Sequence, residues 1–141
     1  MASLSDDRVR EFLSHGTRTG KLAFVASDGR PVVVPIWFLV EGEEIVFNTG
    51  VDTAKNKAFA RDPRACLCVD LEDPPYAFVQ IQGTVTTSDD PADLLRTATA
   101  LGARYMGADH AEEFGRRNGV PGELVVRLRP TKVITAFDVT A

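Results

Sequence analysis

The chain has 141 residues, 44% of them hydrophobic and 26% charged, with a formal net charge of -4, which is an ordinary composition for one domain with a real core over residues 1–141. The pI near 5.1 leaves no broad basic surface, which excludes a general nucleic-acid binder. The sequence has no stretch of about 18 apolar residues and no signal-type start, so we expect a cytoplasmic protein that does not associate with a membrane.

An apolar hairpin follows the N-terminal segment. KLAFVAS and PVVVPIWFLV are typical of β-strands, and Asp28-Gly29 between them is a strong turn signal because both residues tolerate positive φ. Pro35 interrupts the second strand, and because proline cannot donate to a sheet ladder, we expect a bulge or a sheet edge there. Free amides near this point, together with the only tryptophan, Trp37, could hold a flat heterocycle. A kinked core strand is the alternative.

The segment NTGVDTAKNKAFARDPR, residues 48–64, concentrates positive charge in an acidic chain. The residues before it, EEIVFN, and after it, ACLCVDL, alternate as strands do, which predicts a short connecting helix from about Thr53 to Arg61. Asp52 or Thr53 can cap this helix. Asp62-Pro63 ends it, because proline disfavours the α conformation at the preceding residue.

The start of this helix has the properties of a phosphate site. Free backbone amides, the helix dipole and the hydroxyls of Thr49 and Thr53 all favour an anion there. At about 100° per residue, Lys55 falls on the apolar side of the helix, whereas Lys57 and Arg61 lie together on another side. An ammonium on an inward face is costly unless it reaches a cleft holding an anion, so Lys55 is the best single ligand candidate. The alternative is that these basic residues only solvate a short helix.

The rest of the chain adds strands and two helices. In the predicted strand YAFVQIQGTVTTS, Gln80 and Gln82 lie on one face and aliphatic residues lie on the other. The alternation either continues along the whole strand or changes face at Gly83. The two amides need partners across a subunit interface or on a ligand, unless solvent covers them. About six mostly antiparallel strands in so short a chain predict a mainly β fold of the barrel type rather than a parallel sheet.

The order of these segments is the most specific signal in the chain. DGRP precedes a strand carrying PIWF, a second strand ends in Asn-Thr, a lysine stands two residues before another cation, and Asp-Pro-Arg follows. This run resembles the split β-barrel flavin-binding family typified by pyridoxamine 5′-phosphate oxidase. It is most similar to the actinobacterial branch that uses the deazaflavin coenzyme F420. The resemblance implies a six-stranded antiparallel split β-barrel with added helices, and a homodimer with a flavin-type cofactor at each of two interface sites.

The resemblance also implies roles for individual residues. A cofactor phosphate would be held by Thr49, Thr53, Lys55 and Lys57, and the ring would be lined by Val34, Pro35, Ile36 and Trp37. The anionic glutamate tail of F420 needs further basic surface, which Arg61, Arg64, Arg104, Arg116 and Arg117 could supply. The segment 76–78 would reach the site of the partner subunit. Ala58 departs from the asparagine of many relatives, which puts one polar contact in doubt.

The activity implied by the resemblance is reduction of an activated double bond or a quinone-like small molecule with reduced F420. The sequence contains no evident nucleophile, metal set or Ser/His/Asp grouping, and proton delivery could come from water or from Tyr105. One alternative is an FMN-dependent oxidase or reductase on the same fold. Another is a non-catalytic carrier of a flavin, a deazaflavin or a tetrapyrrole. Haem is the weakest of these, because neither His15 nor His110 falls on a predicted barrel strand.

Overall fold

The computed structural model describes residues 2–141, which form seven β-strands and four α-helices. The helices are α1 (Asp7–Ser14), α2 (Ala54–Arg61), α3 (Pro91–Met106) and α4 (Ala111–Asn118), and a short 3-10 turn, Ala108–His110, precedes α4. The strands are β1 (Gly20–Val25), β2 (Pro31–Ile36), β3 (Leu39–Glu41), β4 (Glu44–Gly50), β5 (Arg64–Leu71), β6 (Ala77–Ser88) and β7 (Glu123–Ala136).

All seven strands form one antiparallel sheet in the order β2-β1-β5-β6-β7-β4-β3. Only Trp37 and Phe38 separate β2 from β3, yet these strands lie at opposite edges of the sheet. Three peptide steps reach at most about 11 Å, so the sheet must curl until its two edges are neighbours. The expected mainly β antiparallel fold is confirmed. The expected count of six strands is wrong, because the segment predicted as one strand breaks at Trp37 and Phe38, and the curled sheet is not closed by pairing of β2 with β3.

The core fills the inside of the curled sheet. Burial alternates along β1 and β5, as expected for strands with one face against a core and the other facing outwards. Phe38 and Phe47 are fully buried at the centre of this core. The alternate residues of β2 also pack against it, so the inner face of the sheet continues to its edge.

Pro35 is accommodated at a sheet edge, one of the two arrangements that the sequence predicts. The β1–β2 register runs without interruption from Val25↔Pro31 to Gly20↔Ile36, and β2 has no neighbour on its other side. The irregularity in the sheet lies instead between Gln82 and Gly83 in β6. A Cβ at Gly83 would come within 2.1 Å of the Arg129 carbonyl oxygen, so the close approach of β6 and β7 requires glycine there.

Two side chains of α3 fix the break between β2 and β3. The Arg104 guanidinium donates to the carbonyl oxygens of Phe38 at 2.6 Å, Leu13 at 2.7 Å and Gly16 at 3.0 Å. The Tyr105 hydroxyl accepts from the Phe38 amide at 3.1 Å and lies 2.9 Å from the Arg18 carbonyl oxygen, to which it donates. The chain therefore changes sheet edges at a point where its backbone groups are held by α3.

Candidate functional site

Strands β2 and β4 are not paired, although β2 leads almost directly into β3, the neighbour of β4. The β3–β4 pairing extends only to Leu39↔Val46. Continuing this register would bring Trp37 opposite Asn48, but the chain turns at Trp37 and β2 joins β1 instead. The last residues of β4 consequently have β7 on one side and no paired strand on the other. Helix α2 begins four residues beyond the end of β4.

The first turn of α2 is capped by a threonine pair. Thr53 Oγ1 accepts from the Asn56 amide at 3.3 Å and donates to the Gly50 carbonyl oxygen at 2.8 Å. Because its one proton is used in that bond, the 2.9 Å contact with Thr49 Oγ1 has Thr49 as the donor. The predicted cap at Thr53 is thus confirmed, and in this arrangement neither hydroxyl proton is free for a ligand.

Two backbone amides at the start of α2 have no acceptor within residues 2–141. The Asn56 amide is taken by the Thr53 side chain and the Lys57 amide by the Thr53 carbonyl oxygen. The amides of Ala54 and Lys55 precede them and make no such bond. Free amides at the positive end of a helix bind anions, so the local backbone suits a phosphate group.

The cations of α2 are placed as helical geometry predicts. Ala58 and Phe59 are buried and define the inner face of the helix, with Lys55 half-buried beside them, whereas Lys57 and Arg61 are exposed. Across the described chain, no carboxylate oxygen lies within 4 Å of the charged nitrogens of these three cations. Their charges are therefore available to an anionic ligand.

The other arginines considered for an anionic tail differ in availability. Arg64 forms an ion pair with Asp62 at 2.6 Å, and the Arg104 guanidinium already donates hydrogen bonds to backbone carbonyl oxygens. Arg116 and Arg117 lie in the last turn of α4, where Arg116 is 3.8 Å from Glu112. Among these arginines, Arg61 is the one that shares helix α2 with Lys55, and it has no ion-pair partner in the described chain.

Trp37 is stacked on Tyr105, with ring centroids 5.0 Å apart and an interplanar angle of 3°. Phe114 of α4 lies against it at 5.8 Å. Tyr105 therefore covers one face of the indole, and a ligand can contact only the part of the ring that Tyr105 and Phe114 leave uncovered. The Tyr105 hydroxyl is committed to backbone groups, and burial raises the pKa of this phenol, so it is poorly suited to deliver protons.

The predicted ring-lining residues lie along an unpaired backbone edge. Val34 and Ile36 point their side chains at the core, while Pro35 is exposed. Half of the peptide groups of an edge strand face away from its partner, so β2 can offer backbone hydrogen bonds to a ligand that lies along this edge. Contacts from these residues would thus come mainly from the main chain.

Glu123 is a charged residue of this site that the sequence reasoning missed. It begins β7 directly opposite Gly50, and its Oε2 atom lies 3.6 Å from where a Cβ on Gly50 would be. This oxygen is buried and has no hydrogen-bond partner. Burial raises the pKa of the Glu123 carboxyl, and the charge of Lys55 acts in the opposite direction. No local signal could have revealed this residue, because only the β4–β7 register brings it to α2.

A separate cavity lies on the outer face of β1, β5 and β6. Its volume is about 640 Å³, and its lining includes Ala23, Cys66 and Gln82.

No helix of the described residues is long and apolar enough to cross a membrane. Residues 2–141 also contain no group of three His, Cys, Asp or Glu side chains placed to hold a metal ion.

Residues 5–137 match the pyridoxamine 5′-phosphate oxidase family. The chain belongs to this family, which confirms the resemblance seen in the sequence. Among curated proteins, none matches this chain.

Solved structures share the fold over most of the chain. A conserved hypothetical protein from Mycobacterium tuberculosis is 23% identical with a TM-score of 0.82, covering 93% of this chain and 83% of its own. An F420 reductase is 27% identical with a TM-score of 0.70, covering 88% of this chain and 94% of its own. A heme binding protein from Mycobacterium smegmatis is 18% identical with a TM-score of 0.69, covering 94% of this chain and 54% of its own.

Proposed function

We propose that this protein is an F420-dependent reductase that transfers a hydride from the reduced deazaflavin to an activated double bond or a quinone-like small molecule. The observation that carries the proposal is the half-buried, unpaired Lys55 beside the two free amides that open α2. This combination fits the phosphate of a flavin-type cofactor in a member of a flavin-related family. The similarity to an F420 reductase at 27% identity supports the choice of deazaflavin.

Each part of the site has a distinct task in this proposal. Lys55 and the first amides of α2 hold the phosphate, and Thr49 joins them if its hydroxyl rotates away from Thr53. Thr53 acts as the helix cap that keeps the amides in place. Lys57 and Arg61, exposed on the next side of α2, attract the anionic tail.

The ring of the cofactor lies along the edge of β2 in this proposal. The backbone of Val34, Pro35 and Ile36 orients it, and the open side of Trp37 excludes water from it. The bound deazaflavin supplies the hydride chemistry, so the protein itself needs to bind, orient and shield. No side chain is assigned as the proton donor.

The proposed assembly is a homodimer that pairs the outer faces of two sheets. Val33, Ala23, Cys66 and Gln82 follow one another in register across β2, β1, β5 and β6. Val33 is 63% exposed, and Ala23, Cys66 and Gln82 are half-buried. Three small or apolar side chains and one amide on the outer face of a sheet suit packing against a second copy. Light scattering should then give twice the 15.3 kDa chain mass.

A parallel titration of the apoprotein with F420 and FMN tests the cofactor. Trp37 is the only tryptophan and directly follows the edge strand β2, along which the ring is proposed to lie, so its fluorescence should report binding directly. We expect tight binding of F420 and weak binding of FMN, followed by reduction of enones or quinones when reduced F420 is supplied. Preference for FMN would favour the FMN-dependent enzyme, and tight F420 binding without turnover on a broad panel of acceptors would favour a carrier. Failure to bind either cofactor would refute the proposal.

A further inference from the structure

An acidic side chain lies at the edge of the proposed phosphate site. Glu123 enters from the first position of β7, next to the strand end that leads into α2. Its buried Oε2 receives no hydrogen bond, although Lys55 is close enough to influence the carboxyl. No ion pair of 4 Å or less joins the two groups in the described chain, so Lys55 is not neutralised by direct contact.

Three other charged residues lie around Glu123: Lys55 in α2, Asp89 after β6, and the exposed Asp52, which follows Val51, the residue whose amide donates to the Gly122 carbonyl oxygen. Lys55 of α2 is the cation that acts on it. The other acid lining the adjoining cavity, between α3 and the start of β7, is Asp89, which is exposed. A ligand phosphate bound at Lys55 would therefore meet the attractive charge of Lys55 and, when Glu123 is ionised, one repulsive charge, both from half-buried side chains.

This arrangement distinguishes ligands by the charge on their phosphate. A phosphate monoester carries between one and a half and two negative charges at neutral pH, whereas a phosphodiester carries one. Both are attracted to Lys55, but the second charge of the monoester increases its repulsion from Glu123. We infer that Glu123 sets the charge selectivity of the site, so that it prefers a phosphodiester to a phosphate monoester.

The inference rests on the proposed function and refines it. F420 joins its ribityl chain to its tail through a phosphodiester, while FMN ends in a monoester. Glu123 would then be a specificity-determining residue that disfavours FMN without touching the ring. Two unit charges about 6 Å apart in a water-like dielectric alter binding about threefold, and more in a less polar site. A threefold to tenfold effect on the preference between the two ligands is therefore expected.

A matched pair of probes isolates the charge. The ligands are the 5′-monophosphate of the deazaflavin ribityl headgroup and the methyl phosphodiester of the same compound, which share the ring and the polyol. The wild-type protein should bind the diester more tightly at pH 7.5, as followed by Trp37 quenching. Glu123→Gln should strengthen monoester binding and reduce the preference for the diester about threefold to tenfold. Glu123→Asp, which keeps the charge, should retain most of the preference.

Glu43→Gln is the control for net charge, because it removes one acid in the turn before β4, at the opposite end of that strand from Gly50. This variant should leave the preference unchanged. Absence of a diester preference in the wild type, or an equal effect of Glu123→Gln on both probes, would overturn the inference. A separate titration with F420 distinguishes the two failures. If F420 binds while the preference ignores Glu123, only the inference falls; if F420 does not bind, the proposed function falls with it.

Discussion

Replacing the two lysines of α2 one at a time tests the orientation of this helix. Lys55 is half-buried next to the inner face, which Ala58 and Phe59 define, whereas Lys57 is exposed. A charge-assisted hydrogen bond to a phosphate contributes about 1.5 to 3 kcal/mol. We therefore expect Lys55→Ala to weaken F420 binding about tenfold to a hundredfold.

We expect Lys57→Ala to reduce F420 affinity less than Lys55→Ala does. An exposed charge contributes at most about 1 kcal/mol, so Lys57→Ala should weaken binding by no more than about fivefold. Both variants lose one positive charge from the same helix, which makes Lys57→Ala the control for long-range attraction. Dissociation constants from Trp37 quenching at one ionic strength provide the comparison. Equal losses at the two positions would refute the assignment of Lys55 as the phosphate ligand.

Two further predictions concern stability. Arg127, through hydrogen bonds of 2.7 Å to both carboxylate oxygens, lowers the pKa of Asp93 to about 2 from an ordinary 3.8. The carboxyl is 15% exposed, and its contribution of about 1 to 2 kcal/mol is present above about pH 4 and lost as pH falls towards 2. Urea unfolding between about pH 4 and pH 2 should show this decline in the free energy of unfolding. Asp93→Asn should make the free energy of unfolding less dependent on pH. An unchanged pH dependence in this variant would exclude the Asp93–Arg127 pair as the source of the decline. Gly83→Ala should cost about 3 kcal/mol or more, because its Cβ meets the Arg129 carbonyl oxygen at 2.1 Å. Thermal denaturation measures the effect, and Gly50→Ala is the control, because a Cβ there would meet a threonine methyl at 3.3 Å as its nearest contact. Equal losses of stability in the two variants would contradict the steric argument.

The sequence determined those features of the site that depend on neighbouring residues. Helix α2 ends at Arg61 as predicted and begins within one residue of the prediction, because capping by Thr53 and the effect of Pro63 on Asp62 are local. The inward placement of Lys55 follows from helical periodicity alone. The order of segments was also sufficient to indicate the family, which the match over residues 5–137 confirms.

The break between β2 and β3 was not predictable from local propensity. PVVVPIWFLV contains no turn residue between Ile36 and Leu39, and its bulky residues favour an extended conformation. The break arises because the sheet curls, and hydrogen bonds from Arg104 and Tyr105 then hold Phe38 at the crossing between its edges. These partners lie far along the chain in α3, so their effect on the strand exists only after the helix has packed.

The stacking of Trp37 and the position of Glu123 depend on tertiary structure in the same way. Sequence alone left Trp37 as either a core residue or a ligand wall, and only the packing of α3 shows that Tyr105 covers one of its faces. Glu123 reaches the site solely through the pairing of Glu123 with Gly50 in the β4–β7 ladder. Helix capping and facing are set by residues within a few positions of each other. Strand register and the approach of side chains from different elements are set by the packing of the whole core, which no short segment encodes.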